Sequence, residues 1–201
     1  MDNKQQTFIF FGRSGSGKGT QANLLMDLLE KEKGAKPVYI ETGQKFREFI
    51  AKENNYLSGL TRKVLEEGAL LPVFLPIWIW TRELIEKYTG SEDLVLDGLC
   101  RRPEEAEVLD SAMKFLGLQK PNIVYINTSK AWSLKRLKER GREDDDKEED
   151  MLRKLNWFDW NVVPAMSYFH ENPKYNFIEI NGEQSIEEVH AEILQKVSIK
   201  K

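Results

Sequence analysis

Apolar and polar residues along this chain follow two alternating periods. Short apolar runs rich in strand formers occur at Thr7-Phe8-Ile9-Phe10-Phe11, Pro37-Val38-Tyr39-Ile40-Glu41, Leu94-Val95-Leu96, Asn122-Ile123-Val124-Tyr125-Ile126 and Tyr175-Asn176-Phe177-Ile178-Glu179-Ile180. Between them, apolar residues return every three or four positions, the period of a helix with one buried face. The first helix carries Ala22, Leu24, Leu25, Leu28 and Leu29 and stops at Gly34. Thr42 can cap a helix through Phe46, Phe49 and Ile50, with Asn54-Asn55 as its stop. Ser58 can cap another, closed by Gly68, and Pro72 suits the first turn of a long helix through Tyr88. Pro103 opens the next. A helix from Ser129 to Arg140, with Trp132, Leu134 and Leu137 inward, is broken by Gly141. Met151 to Phe169 reads as one amphipathic helix kinked at Pro164, and Ser185 caps a last helix ending near Val197.

Strands separated by helices predict an α/β fold: a five-stranded parallel sheet with helices on both faces, in three α/β/α layers. In such sheets ligands bind outside the carboxyl ends of the strands. The distinctive polar groups fall there: Gly12 to Thr20 after the first strand, Thr42-Gly43 after the second, Asp97-Gly98 after the third.

Composition narrows the partners more than the chemistry. The 201 residues suit one domain with small inserts. A net charge of −3 gives no argument for nucleic acid or an anionic membrane, so any affinity for phosphate must be local. The single cysteine, Cys100, allows no internal disulfide, and His170 and His190 lie far from it, so no zinc site is expected. Met1 to Gln6 is polar and the apolar run after it is short. The expectation is a cytoplasmic chain with neither signal peptide nor membrane span, and nothing demands more than a monomer.

Gly12-Arg13-Ser14-Gly15-Ser16-Gly17-Lys18-Gly19-Thr20 fits the phosphate-binding pattern G-x-x-x-x-G-K, between a strand and a helix as that pattern requires. Gly15, Ser16, Gly17 and Gly19 let backbone N–H groups surround an anion, and the helix N-terminus adds partial positive charge. Lys18 can reach the outer phosphates. Gly19 stands directly after the lysine, so the hydroxyl for the Mg²⁺ side is Thr20 or absent, and Asp97 is a candidate partner for Mg²⁺ through water. Arg47, Arg101 or Arg102, Arg136, Arg140, Arg142 and Arg153 could face one crevice. Two nucleotides set phosphate to phosphate repel unless guanidinium groups hold them, and arginine's planar fork matches phosphate oxygens.

Taken together these residues resemble the adenylate kinase family of nucleoside monophosphate kinases, over nearly the whole chain. The loop matches G-x-P-G-x-G-K-G-T-Q except at Ser14; Thr42-Gly43-Gln44-Lys45-Phe46-Arg47 resembles T-G-D-x-x-R; Asp97-Gly98-Leu99-Cys100-Arg101 resembles D-G-F-P-R. Gly68-x-Leu70-x-Pro72 resembles the end of the monophosphate arm, Arg142-Glu143-Asp144-Asp145 the R-x-D-D of the lid, and Asn181-Gly182 the turn beside the ATP base. The resemblance implies a core of 1–41, 73–139 and 148–201, a monophosphate-binding insert at 42–72 and a short lid at 140–147 without zinc. It implies a donor site of Gly15 to Thr20, Arg136, Arg140 and Gln184. The acceptor site would be Thr42, Gly43, Arg47, Leu70, Gly98, Arg101, Glu105, Arg142 and Arg153. Lys18, Arg101, Arg142 and Arg153 would be catalytic.

The departures bear on the base and on the loop that aims Arg101. Cys100 replaces a proline that is commonly cis in the family, and Glu105 stands where adenylate kinases place a glutamine that reads adenine. A carboxylate only accepts, so it suits guanine, or adenine when protonated, whereas Thr42 agrees with adenine. The implied reaction is γ-phosphoryl transfer from Mg·ATP to a nucleoside monophosphate, AMP favoured and GMP, CMP or UMP as alternatives. Two other readings stay open. One is a small-molecule kinase with a hydroxyl acceptor; the other is a nucleotide-binding module that has lost transfer.

Overall fold

The computed structural model describes residues 5–67, 69–141 and 147–197. Thr7–Gly12 (β1) is buried along its whole length, which explains why it reads as a continuous apolar run rather than an alternating one. Phe8 and Phe10 point to one face, where Lys18–Lys33 (α1) and Ile186–Lys196 (α9) cover them. Ile9 and Phe11 point to the other, packed with residues of Phe74–Lys87 (α4), Pro103–Phe115 (α5) and Val163–His170 (α8). Full burial of each such side chain stabilises by about 2 kcal/mol.

The other strands are Val38–Glu41 (β2), Leu94–Asp97 (β3), Asn122–Asn127 (β4) and Asn176–Asn181 (β5). All pair in parallel, in the order β2-β3-β1-β4-β5. From β1 the chain crosses to the edge at β2, returns through β3 and passes β1 to reach β4 and β5, so the loop after β1 leaves at the crevice beside β4 where the direction of winding changes. The register sets Asp97 between Phe10 and Glu41, so three strand ends meet beneath the loop.

Thr42–Lys52 (α2) and Tyr56–Glu66 (α3) follow β2 and build a separate small core: Phe46 with Leu71, Leu75 and Ile79, flanked by Phe49 and Val64. Lys130–Arg140 (α6) and Glu148–Trp157 (α7) share a further cluster of Leu137, Met151 and Leu155. Among the described residues no helix is long and apolar enough to cross a membrane.

Several expected boundaries move. Thr42 is the first helical residue and Glu41 precedes it, so Thr42 is no cap. Asn55 caps α3: its side chain accepts from the Ser58 N–H while Ser58 Oγ accepts from the Asn55 N–H. Asn55 is thus the start signal of α3 rather than the stop of α2. Pro72 lies ahead of α4, whose first residue is Phe74. The helix expected from Met151 to Phe169 is three pieces, α7, a π turn at Phe158–Val162 and α8. Pro164 explains the break, because it has no N–H for the Trp160 carbonyl; the ladder widens and the Val163 N–H donates to the Phe158 carbonyl instead. Trp160, one of the apolar residues of the helix expected over 151–169, is 72% exposed. Gly68 and residues 142–146, with the lid expected around them, lie outside the described residues.

Candidate active site

The loop between β1 and α1 is shaped by its glycines. Gly15 has φ +84°, and a Cβ there would lie 2.6 Å from the Ser133 carbonyl oxygen, so only glycine lets α6 come this close. Gly17, also left-handed, is the N-cap of α1, which begins at Lys18 with Gly19 and Thr20. Lys18 Nζ donates to the Gly12 carbonyl at 2.9 Å and the Arg13 carbonyl at 3.1 Å. Burial lowers its pKa, with Arg101 and Arg140 adding to the effect and Asp97 and Glu41 opposing it. The ammonium is therefore short of a full counter-charge.

Asp97 sits beneath. Burial raises its pKa, and Lys18, Arg101 and a hydrogen bond from Tyr39 work against that. The Tyr39 hydroxyl donates to Oδ2 at 3.3 Å. Oδ2 also lies 3.5 Å from where a Gly19 Cβ would be, which puts a hard oxygen at the start of α1 near the exposed Thr20. Among the described residues no group of three His, Cys, Asp or Glu could hold a metal. The oxygens of Thr20 and Asp97 suit a hard divalent cation that keeps most of its waters and its phosphate ligands.

The other residues expected at the donor site are more scattered. Arg140 ends α6, and its charge reaches Lys18. Arg136 is at the surface, 3.7 Å from Glu139. The Gln184 amide donates to the Asn181 carbonyl and to Glu192, both at 2.8 Å. A cavity of about 400 Å³ opens beside the loop, lined by Arg13, Asn127, Thr128, Ser129, Asn181 and Glu183; neither Arg136 nor Gln184 lines it.

After β2, where the acceptor site is expected, Gly43 marks a convergence. A Cβ there would lie 3.4 Å from Arg47 Nη1, 3.6 Å from Glu41 Oε1 and 3.7 Å from Arg101 Nη2. Arg47 pairs with Glu41 at 3.1 Å, and Arg101 Nε donates to the Gly98 carbonyl at 3.3 Å. Thr42 is buried with no partner for Oγ1. Leu70 is half-buried next to Leu71 of the small core. Arg153 Nη1 donates to the Glu67 carbonyl at 2.9 Å, and its other nitrogen pairs with Asp150. Arg142 lies outside the described residues.

The loop carrying Arg101 contains no cis peptide bond, and Cys100 takes φ +56°. A proline, with φ fixed near −65°, could not adopt this turn. The Cys100 thiol donates to the Glu105 carbonyl at 3.5 Å, and burial pushes its pKa up. Glu105 itself is buried, 2% exposed. Burial lifts its carboxyl to about 6, against Arg101, Arg102 and the facing backbone N–H groups of Arg101 and Cys100. Its Oε2 has no partner. Buried polar atoms are normally bonded, so those left open need a reason. Ser16 Oγ, Thr42 Oγ1 and Glu105 Oε2 are all such atoms, and they follow β1, β2 and β3.

Sequence reasoning missed Tyr39, Glu41 and Arg13. The period of β2 could have found the first two, since Tyr39 and Glu41 share the face that ends at Asp97. Nothing local marks Arg13, which fills a free position of the motif.

Residues 10–174 match the family model described as adenylate kinase. The chain is 30% identical over 185 residues to adenylate kinase 1 of Nostoc sp., covering 92% of this chain and 95% of that one. It is 30% identical over 191 residues to an adenylate kinase of Mycobacterium sp., covering 93% and 96%. To an adenylate kinase of onion yellows phytoplasma it is 28% identical over 221 aligned positions, covering 93% and 95%. With the phosphate loop at the centre of a parallel sheet and matches that run almost end to end, the chain belongs to the adenylate kinase family of ATP-binding phosphotransferases.

Proposed function

We propose that this chain transfers the γ-phosphoryl group of Mg·ATP to a nucleoside monophosphate, with AMP the preferred acceptor. The observation that carries the reading is the facing of two charged sets across Asp97: Lys18 in the loop after β1, and Arg101 with Arg47 around Gly43 after β3 and β2. An acceptor phosphate is already ionised, so no general base is required. What the site must supply is alignment and neutral surroundings for charge that moves from one nucleotide to the other.

In this reading Lys18 exchanges the Gly12 and Arg13 carbonyls for phosphate oxygens, and its incomplete counter-charge favours that exchange. The backbone N–H groups of Gly15 to Thr20 hold the donor phosphates. Arg136 and Arg140 on α6 and Gln184 after β5 take the donor, and Arg47, Arg101, Arg142 and Arg153 take the acceptor phosphate. Mg²⁺ bound with ATP would neutralise charge on the β- and γ-phosphates, with Thr20 and Asp97 holding it through water. Thr42, Gly43, Leu70, Gly98 and Glu105 form the acceptor-base side, where Thr42 Oγ1 and Glu105 Oε2 are the open polar atoms. A protonated Glu105 donates to the ring nitrogen of adenine and accepts from its amino group; an ionised one accepts from both N–H groups of guanine. With the carboxyl lifted to about 6, the first holds below that pH and the second above it, and Thr42 is what favours adenine.

The test is transfer from Mg·ATP to AMP, GMP, CMP and UMP, one at a time, followed by coupled assay. Rapid ADP formation with AMP alone supports the reading. A different preferred monophosphate replaces AMP and leaves the reaction type standing. ATP binding with no transfer to any acceptor rejects it.

A further inference from the structure

Arg13 sits inside the phosphate loop, yet its side chain reaches out of it. Nη1 donates to the Thr128 carbonyl at 2.6 Å, at the end of β4. Nη2 donates to Asp159 Oδ1 at 2.5 Å, and the guanidinium lies 4.8 Å from the centre of the Phe158 ring. Its side chain is 15% exposed. Phe158 and Asp159 belong to the π turn. Lys130, at the start of α6, takes the other oxygen of Asp159 at 2.8 Å and also donates to Asn156 Oδ1 at 2.9 Å on α7. Burial works to raise the Asp159 carboxyl, but the bonds from Lys130 and Arg13 outweigh it and hold the group below the ordinary carboxylate range. Short, charge-assisted bonds of this kind are the directional ones.

Residue 13 therefore has two holds. Its main-chain carbonyl accepts from Lys18 Nζ, and its side chain grips the π turn. The π turn directly continues α7, which precedes it and carries Arg153, and Arg153 donates to the Glu67 carbonyl that closes α3. Polar contacts joined by the backbone of α7 thus run from the phosphate loop to the end of the α2–α3 insert. Lys18 Nζ spends two of its three donors on the Gly12 and Arg13 carbonyls, so a phosphate that draws the ammonium outward loosens its hold on residue 13. The π turn is the break in the helical ladder between α7 and α8, and π turns recur at functional sites, which makes this one suited to respond.

We propose that Arg13 is a positioning residue that couples occupancy of the phosphate loop to the setting of the π turn and α7, and through α7 to Arg153. The proposal rests on the reading of the loop as the ATP site; it does not require that transfer occur. A staple that merely held the end of β4 would stabilise the fold without relaying occupancy, and the test separates these roles.

Amide hydrogen exchange is measured on the full chain with and without Mg·ATP, for the parent, Arg13→Ala, Arg13→Lys and Asp159→Asn. In the parent, ATP slows exchange in the loop at 12–20 and in the stretch 148–162. In Arg13→Ala and Asp159→Asn, ATP still protects the loop, but the response at 148–162 falls to less than a third; Arg13→Lys restores part of it. Turnover of Arg13→Ala drops about tenfold, with KM for ATP moving less than threefold, as a misplaced group far from the chemistry produces. Should Arg13→Ala not fold, Asp159→Asn and Arg13→Lys carry the same comparison. The proposal is overturned if ATP leaves 148–162 unaffected in the parent, or if the response there survives loss of the Arg13–Asp159 contact. A parent that shows the relay but no transfer would reject the proposed reaction and leave the coupling intact.

Discussion

Lys18 is an ammonium held by two carbonyls in a site that disfavours its charge. In the proposed reaction it would hold the phosphates. Lys18→Ala is expected to lower turnover by several orders of magnitude while the circular dichroism spectrum and melting temperature stay near the parent's; activity within tenfold of the parent would exclude the role. Glu105 makes a second prediction, and its sign follows from the direction of its shift. Its carboxyl titrates near 6 in the folded chain against an ordinary 4.5, so the folded state binds the proton more tightly. Its contribution to stability is present below pH 4.5 and is lost as pH rises through about 6, a swing of about 2 kcal/mol. Glu105→Gln should remove this slope and raise stability at pH 8 in denaturant titrations. The same change should remove a rise in KM for AMP, about tenfold between pH 5.5 and 8, because the amide keeps the donor that the ionised acid loses. A flat KM in the parent would show that Glu105 does not touch the base.

The helices divide by whether their signals are local. Ser185 was legible as a cap: its side chain accepts from the Glu188 N–H, and Glu188 returns the bond. Since α9 packs on the central core, Ser185→Ala should cost about 1 kcal/mol, read as a fall of about 2 to 4 °C in melting temperature. The start of α3 was misplaced because Asn55 and Ser58 are both good caps, and the capping box uses both, in an order that a single-residue rule does not resolve. The π turn was hidden for a different reason. Pro164 predicts a break in the ladder but not how the chain repairs it, and the repair depends on what Phe158 and Asp159 grip.

Across the molecule, stability is distributed unevenly. The sheet is clamped by two large apolar clusters, one on each face, whereas α2 and α3 rest on a cluster of four buried residues. Amide exchange in the unliganded chain should therefore be fastest in helices α2 and α3, residues 42–66, and slowest in β1 and β4. Binding of a monophosphate should slow the first set selectively, since Thr42 and Arg47 lie on α2 and would be drawn to the acceptor. Uniform exchange across both regions would mean that the insert is as firmly held as the core and does not move as a unit.

The sequence by itself determined the elements and the loop. Continuous apolar runs, helical periods, glycines and caps act over a few residues, and so do the conformations they demand. It also placed the polar groups at strand ends, because a parallel sheet leaves them nowhere else to converge. Tertiary structure decided which of those groups meet. The order β2-β3-β1-β4-β5 sets Glu41 beside Asp97 and the phosphate loop between β3 and β4. It brings Arg13 to Asp159, 146 residues further along the chain. It also buries Cys100 in a left-handed turn and Glu105 beneath it. Those contacts depend on how separated strands and helices stack, and the burial that shifts a carboxyl or orients a guanidinium exists only once they have.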